Sequence, residues 1–503
     1  MSCLTRASLA LLLSLCVASV AGAASGATVD ADSAAPSAGS AYLAEVGAAL
    51  QQADRGDSPG ASILLDRLLA DPRLARLSIE DRSQVWSSAA MVALAQKRDM
   101  LAFERLREAL VIHPANASAR LRMAWLLMVS DQPEAAADNV VRAIADGDGA
   151  PDMSPEMVWQ LDGKLKQHPD KRLAILQGLF DSHWKIEGIE PAELWVVLAT
   201  LQVEAGHGNK VSATLDRIDA PAPLIRLRAD KRFDPYLRRD DPRNDPVAAA
   251  RRHIDRMRVD TLLSPGLNET AVELSSALMV AGELQEVIGM TAPLADAAAQ
   301  AEAAPPEQAR YIAWMLDMRS RALRRLGKPD DAVAAQLLAL RMADPQGDTV
   351  SQNLNLASLY VSLHRPLMAR QVMQTIGGGM SAYGASTQAL NELRAALQLN
   401  DAAAAQRARE RLLANRAVTP DHYREGLLVD QRMDEAATSL LEQLADPMER
   451  GTALFYLQDV RRAPTLPADA DLQASWERLK QRADVQAAVN QVGRIDSYPL
   501  FAN

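Results

Sequence analysis

A 34-residue internal repeat constrains the fold of this chain more than any other feature. Residues 82–114 align with the stretch that begins at residue 116 when the two are shifted by 34 positions. The shift places Ala102 on Ala136 and Ala109 on Ala143, so each copy has two small residues seven positions apart. A fixed period of this length is typical of solenoids, in which each unit buries its apolar face only against the next.

The two copies resemble the tetratricopeptide repeat, a family of paired helices. In that family a Trp lies early in the first helix, two small residues lie in the second helix, and a Pro closes the unit. The first copy matches at Trp86, Ala102, Ala109 and Pro114, whereas the second keeps both alanines but has Arg120 and Asp148 at the outer positions. A chance match between alanine-rich helices is the alternative, and Trp86 and Pro114 argue against it. The resemblance implies an all-α chain folded as a right-handed α-solenoid of helical hairpins.

The first 23 residues have the pattern of a secretory signal peptide. Arg6 supplies the positive charge, residues 7–20 form an apolar run, and residues 21–23 form a small-x-small cleavage site. A run of about 14 residues is too short for a bilayer, which needs about 20. We therefore expect no transmembrane segment and an exported protein, in the periplasm or, as the alternative, outside the cell. The only cysteines, Cys3 and Cys16, lie in this segment, so the mature chain would contain no disulfide.

Composition along the chain predicts two stacked repeat modules. Residues 24–40 are rich in Ala, Ser and Gly and are interpreted as a flexible leader. An N-terminal module then covers residues 41–238, a charged, Pro-rich linker covers 239–246, and a C-terminal module covers 247–503. Residues 227–237 resemble the short tail that closes many tetratricopeptide arrays, and residues 479–489 are a looser echo of it.

The second module contains its own well-matched repeat, and three tryptophans are expected in the core of the first. Residues 308–326 and 329–342 form the repeat, with Ala332 and Ala339 at the small positions. Trp159, Trp184 and Trp195 lie in more divergent hairpins, where we expect them to be buried.

The sequence motifs for catalysis, cofactor binding and metal binding that we searched for are each incomplete in this chain. The glycine-rich stretch 377–384 has Ala385 where a phosphate-binding loop needs Lys. A calcium-loop beginning at Asp146 has Met157 where the closing Glu should be. The seven histidines show no ligand spacing. We therefore predict no catalytic residue, no cofactor and no metal, and a protein that is not an enzyme.

Two candidate binding surfaces follow from the resemblance, because certain first-helix positions of this family line the concave face. In the first module these positions hold an apolar set: Met91, Leu94, Leu121, Trp125 and Met128. In the second module they hold Asp317, Arg321 and Arg324, with Arg325 adjacent. The alternatives are that Trp125 packs under a neighbouring helix and that the arginines form an ordinary solvated face. Ser87 and Met91 occupy the places of the Lys and Asn with which some family members clamp a terminal carboxylate, so that binding mode is not expected.

These features together predict an interaction scaffold of the cell envelope with a protein or an anionic polymer as its partner. The net charge of −10 and the pI of about 5.4 argue against nucleic acid, because phosphate binding needs a basic surface. The alternative is an envelope enzyme or enzyme subunit whose site is assembled across helices.

Overall fold

The computed structural model describes residues 38–186, 188–344, 349–377 and 380–502. The predicted signal peptide lies outside these residues, as do residues 24–37 of the predicted leader. The chain divides into two compact units, residues 1–205 and 206–503. The predicted linker, residues 239–246, falls inside the second unit.

The first unit is described from Ala38 onward and consists of helices. These are α1 (Ala38–Asp54), α2 (Ser58–Leu69), α3 (Ile79–Ala95), α4 (Asp99–Ile112), α5 (Ala117–Val129), α6 (Pro133–Asp146), α7 (Pro155–Lys164), α8 (Pro169–Asp181) and α9 (Ala192–Glu204), with a 3-10 turn at Leu74–Arg76.

The second unit contains the remaining helices and two short strands. The helices are α10 (Gly208–Leu215), α11 (Pro221–Ala229), α12 (Pro246–Leu263), α13 (Glu269–Ala281), α14 (Leu284–Gln300), α15 (Ala309–Arg325), α16 (Pro329–Met342), α17 (Thr349–Ser362), α18 (Pro366–Gln374), α19 (Ala382–Gln398), α20 (Ala402–Ala414), α21 (Pro420–Val429), α22 (Met433–Ala445), α23 (Arg450–Tyr456), α24 (Ala470–Gln481) and α25 (Ala483–Val492). The strands are β1 (Asp459–Arg461) and β2 (Ser497–Phe501), and 3-10 turns occupy Lys231–Phe233, Pro242–Asn244 and Pro467–Asp469.

Successive helices form antiparallel hairpins with the same turn geometry in both units. In the turn of α3–α4, Lys97 has a left-handed backbone with φ of 59°, and the Arg98 N–H donates to the carbonyl of Ala93 at 3.0 Å. Asp131, 34 residues later, repeats this geometry with φ of 57° in the turn of α5–α6. This bond pattern is the Schellman motif, which satisfies the last carbonyls of the first helix. The second helix then starts at once, often at a Pro such as Pro133 or Pro329.

The small positions of the repeat lie buried between helices. Ala102, Ala109, Ala136, Ala332 and Ala339 are all fully buried. A larger side chain would separate the helices at these points, because protein interiors are close-packed. The predicted repeat register is therefore confirmed.

The repeat period also appears in side-chain hydrogen bonds between neighbouring hairpins. In the first unit the Asn116 Nδ2 donates to Ser83 Oγ at 2.8 Å, across 33 residues. In the second unit the Thr419 hydroxyl donates to Ser386 Oγ at 2.7 Å, again across 33 residues. Equivalent residues of adjacent hairpins thus lie side by side, as stacking by one repeat requires. The prediction of an all-α, tetratricopeptide-like solenoid is confirmed, with β1 and β2 as a small addition.

Two of the three predicted core tryptophans are buried, and the prediction for the third is wrong. Trp184 and Trp195 are at most 3% exposed, whereas Trp159 is 43% exposed. The buried positions of α7 are Met157, Val158 and Leu161. At 100° per residue these share one face of the helix, and Trp159 projects from the opposite face.

The second unit closes on itself. Its early helix α11 packs against both α12 and α23, and β2 packs against α12 and α13. The backbone of Asp230 forms an antiparallel bridge with Gly493, and the Arg494 N–H donates to the carbonyl of Ala229 at 2.9 Å. The two stretches that resemble closing tails, residues 227–237 and 479–489, therefore lie in the same unit, and the contacts around them join its beginning to its end.

Candidate functional site

A cavity with a volume of about 500 Å³ lies inside the second unit. Its walls are α15, α17 and residues 457–502, which we call the C-terminal segment. The charged residues that line it are Asp317, Arg321, Arg324, Arg325, Arg461, Arg462 and Asp469. Hydroxyl and amide side chains complete the polar lining, including Ser320, Asn355, Ser358 and Gln473.

One face of α15 supplies the first wall, because residues three and four apart lie together on a helix. The buried carboxylate of Asp317 pairs with Arg321 Nε at 2.7 Å and accepts a hydrogen bond from Asn355 Nδ2 at 2.9 Å. Asp317 thus fixes Arg321 and ties α15 to α17. No described residue pairs with the two terminal Nη groups of Arg321, whose side chain is 41% exposed.

Arg325, the third predicted arginine, fastens the C-terminal segment to the helices. Its guanidinium donates to the carbonyls of Met279 and Ala502 at 2.7 and 2.8 Å and lies 4.5 Å from the ring centre of Phe501. Burial, together with the charges of Arg321 and Arg324, lowers the pKa of Arg325 to about 10. It remains a cation near neutral pH, and each of its two Nη atoms already donates to a backbone carbonyl.

The C-terminal segment contributes two further arginines to the cavity. Arg461 lies 5.1 Å from the ring centre of Phe501 and forms no ion pair with the described residues. Arg462 pairs with Glu477 at 2.6 Å. A Cβ atom at Gly282 would come within 2.5 Å of Arg461 Nη1, so this guanidinium packs directly over the glycine turn between α13 and α14.

Asp469 holds the C-terminal segment against the helices from the other side of the cavity. Its carboxylate pairs with Arg394 of α19 and, at 3.4 Å, with Arg324 of α15. Both aspartates of the lining are therefore occupied by arginines of the protein. The lining has five arginines against these two carboxylates, so the cavity keeps an excess of positive charge.

This arrangement can bind anionic groups. Guanidinium groups present paired N–H donors that match carboxylate and phosphate oxygens, and partial burial strengthens such bonds. Arg321, Arg324 and Arg461 have donor capacity that the described residues do not use up. No group of three or more His, Cys, Asp or Glu side chains that could hold a metal ion occurs in the part of the chain described.

The apolar residues predicted for the first unit are placed differently. Met91, Leu94 and Met128 are at most 5% exposed, so they belong to the packing between helices. Leu121 and Trp125 are half-buried. Ser87, at the place of the missing carboxylate clamp, is buried and accepts a hydrogen bond from Arg122 at 2.8 Å.

Sequence reasoning missed the half of the cavity that the C-terminal segment supplies. Arg461, Arg462 and Asp469 lie more than 130 residues from Arg325, and no local pattern links them to α15. Two signals were present in the sequence. The pair Arg461-Arg462 precedes Pro464 outside any helical pattern, and residues 497–501 are Ser-Tyr-Pro-Leu-Phe, a composition that favours an edge strand.

Several solved structures are similar to this chain at low identity. The pilF structure of Pseudomonas aeruginosa is 15% identical over 69% of this chain and 98% of that chain, with a TM-score of 0.20. The TPR domain of P58(IPK) is 14% identical over 81% of this chain and 100% of that chain, with a TM-score of 0.21. The APC/C hetero-tetramer Cut9-Hcn1 is 12% identical over 90% of this chain and 96% of that chain, with a TM-score of 0.28. No protein-family model matches the chain, and no curated protein is significantly similar to it.

At these TM-scores the likeness carries no argument of its own, and the class of the protein follows from its helix pairs and repeat period. The chain is a tetratricopeptide-like α-solenoid protein. Across the described residues, none of the helices has both the length and the apolar character that crossing a membrane would require.

Proposed function

We propose that the protein is a non-catalytic interaction scaffold of the cell envelope, and that its second unit binds an anionic partner in the basic cavity. The observation that carries this proposal is the meeting of Arg321 and Arg324 with Arg461 around one cavity, with both lining aspartates already paired. The alternative, an ordinary solvated helix face, does not account for the arginine that a second chain segment adds to the same cavity. The envelope location rests on the signal-peptide pattern of residues 1–23.

The arginines differ in their roles, and the test depends on that difference. Arg325 holds the C-terminal segment through two backbone carbonyls, so its loss would disturb the fold. Arg321 and Arg324 are each more than 40% exposed at the side chain. Arg321 is also the cation that pairs with the buried Asp317, and loss of one partner of a buried pair destabilises a fold. The melting temperature of each variant is therefore measured together with its binding. In the first unit, Leu121 and Trp125 stay candidates for a second contact surface.

The test is binding of two anionic polymers, poly-L-glutamate and polygalacturonate, to the mature protein over a range of salt concentrations. We expect the double variant Arg321→Gln/Arg324→Gln to bind at least tenfold more weakly at low salt. Its affinity should also depend less on salt, because salt screens exposed charges beyond about 8 Å at physiological strength. Arg310→Gln is the matched control, since Arg310 lies on the same helix with a side chain 62% exposed and outside the cavity. Failure of both polymers to bind, or an equal loss in the control, would refute the proposal.

A further inference from the structure

Strand β1 has an unpaired edge next to the basic cavity. The sheet has only two strands in the described residues, so each strand has a single partner. The residues after β1 continue without regular structure as far as the 3-10 turn at 467–469. The backbone N–H and carbonyl groups of Arg462 and Ala463 form no hydrogen bond with any described residue. This stretch therefore offers donors and acceptors to an incoming chain.

The lining of the cavity includes β1 and the stretch that follows it. Residues 460–465 all line the cavity, and α15 and α17 form other parts of its wall. The 3-10 turn that follows β1 lies against α17, and strand β2 lies against α12 and α13. Phe501 and Ala502, at the end of β2, line the same cavity.

The cavity holds arginines from β1 and from α15. Arg461 belongs to β1 itself, and Arg321 and Arg324 line the same cavity from α15. In an extended chain, alternate side chains project to the same face, about 6.6–6.8 Å apart. Acidic side chains at alternate positions of an added strand would therefore reach the arginines of one wall in succession.

We infer that the partner of this cavity is a protein segment: an extended acidic peptide that adds as a strand to the free edge of β1. Backbone hydrogen bonds to Arg462 and Ala463 fix its register, and carboxylates at alternate positions bind Arg321, Arg324 and Arg461. Strand addition of this kind obtains affinity from the main chain and specificity from alternate side chains. The inference rests on the proposed function and deepens it. A polysaccharide has no amide ladder, so the unpaired edge favours a peptide.

The experiment uses the mature protein and a labelled octapeptide of alternating Glu and Val, with fluorescence anisotropy as the readout. Each backbone N–H of the peptide is methylated in turn. Because only every second N–H of a strand faces a given neighbour, we expect a period-two pattern, in which alternate methylations weaken binding at least tenfold and the others change it little. A uniform or absent response to methylation, while the acidic peptide still binds, would overturn strand addition and leave the proposed function standing.

Two further measurements test the role of the arginines and distinguish a peptide partner from a polysaccharide. A peptide with Lys in place of Glu should not bind, and binding of equal strength would overturn the role of the arginines. The variant Ala463→Pro removes one N–H from the edge and should weaken the acidic peptide but not polygalacturonate, with an unchanged melting temperature as the check on folding. If polygalacturonate binds more tightly than the peptide and Ala463→Pro affects neither, the partner is a polymer and the inference is wrong. Loss of binding to every anionic probe would instead contradict the proposed function itself.

Discussion

Most of the first-helix positions that were expected to line the concave face are buried in one unit and exposed in the other. In the first unit, Met91, Leu94 and Met128 are buried between helices, whereas in the second Arg321 and Arg324 remain exposed around a cavity. Apolar side chains at these positions gain free energy by closing the space between helices. Guanidinium groups resist full burial because desolvating a charge is costly unless it is paired. The same repeat geometry therefore yields packing in one unit and an open, basic cavity in the other.

The strongest test of the shared repeat geometry is Ala136→Arg in the first unit. The fully buried Ala136 leaves no room for a longer side chain, and the added charge would have to be desolvated. We expect a loss of about 3 kcal/mol or more in the free energy of unfolding, measured by denaturant titration. Ala48→Arg, at an exposed position of α1, is the control and should change stability little. Equal effects at the two sites would contradict the repeat register.

Replacement of Met91 by Ala tests whether the first unit's inner face is core. Because Met91 is only 2% exposed, its loss should leave a cavity and cost about 2–5 kcal/mol of unfolding free energy. Binding of poly-L-glutamate should not change. Arg324→Gln in the second unit should show the reverse, with weaker binding and little change in stability. A Met91 variant that kept its stability but lost binding of a partner would show that this position belongs to a binding surface and not to the core.

The closed arrangement of the second unit can be tested at a glycine. A Cβ atom at Gly493 would lie 2.5 Å from the carbonyl oxygen of Ala229 and 2.7 Å from Leu454, where the end of the unit meets its beginning. Gly493→Ala should therefore cost about 1–3 kcal/mol. Gly289→Ala is the control in the open interior of α14, where the substitution should stabilise by up to about 1 kcal/mol. Calorimetry on both variants should give changes in melting temperature of opposite sign. A stabilised Gly493 variant would argue against the contact between the beginning and the end of the unit.

The smallest expected effect concerns Glu425, a charge that the second unit keeps partly buried. Desolvation raises the pKa of its carboxyl group, and Arg394 opposes the shift only in part. The raised pKa means that folding favours the protonated form, so stability is lost as the pH rises through the folded-state pKa. Glu425→Gln should therefore be more stable than the parent at pH 8 and equal to it near pH 4.

A gain on the order of 1 kcal/mol would raise the melting temperature by about 2–4 °C in a unit of this size. Thermal unfolding from pH 4 to pH 8 measures the difference, with Glu410→Gln at an exposed position of α20 as the control. A variant that is destabilised at pH 8 would show that the Glu425 carboxylate is held by favourable pairs instead.

The local features of the fold were predictable because they repeat within a few turns of helix. Ala102 and Ala136 mark the helix contacts at a fixed spacing, and the basic face of Arg321 and Arg324 follows from their positions on one helix. Burial of Met91 was not predictable, because an apolar residue fits a groove and a core equally well in sequence. Trp159 was misplaced for a related reason, since aromatic character does not tell which face of α7 is buried.

The features that sequence reasoning missed are those that depend on long-range contacts. Arg461 and Phe501 reach the cavity because the C-terminal segment packs onto α13 and is held by Arg325 of α15. Nothing within a window of one or two repeats encodes that contact. A repeat period predicts each neighbour in the stack, but it does not predict whether the stack closes.

Closure of the second unit also sets the order in which it can be completed. The Arg494 guanidinium donates to the carbonyl of Arg228 across 266 residues, and Arg239 reaches Asp496 across 257. A solenoid folds mainly through contacts between neighbours, whereas contacts over such separations form slowly because a long loop must first be closed. During synthesis, the hairpins can form one after another as they emerge. The ends of this unit can join only when its last residues arrive, so until then the chain exposes the apolar surface that a chaperone would recognise.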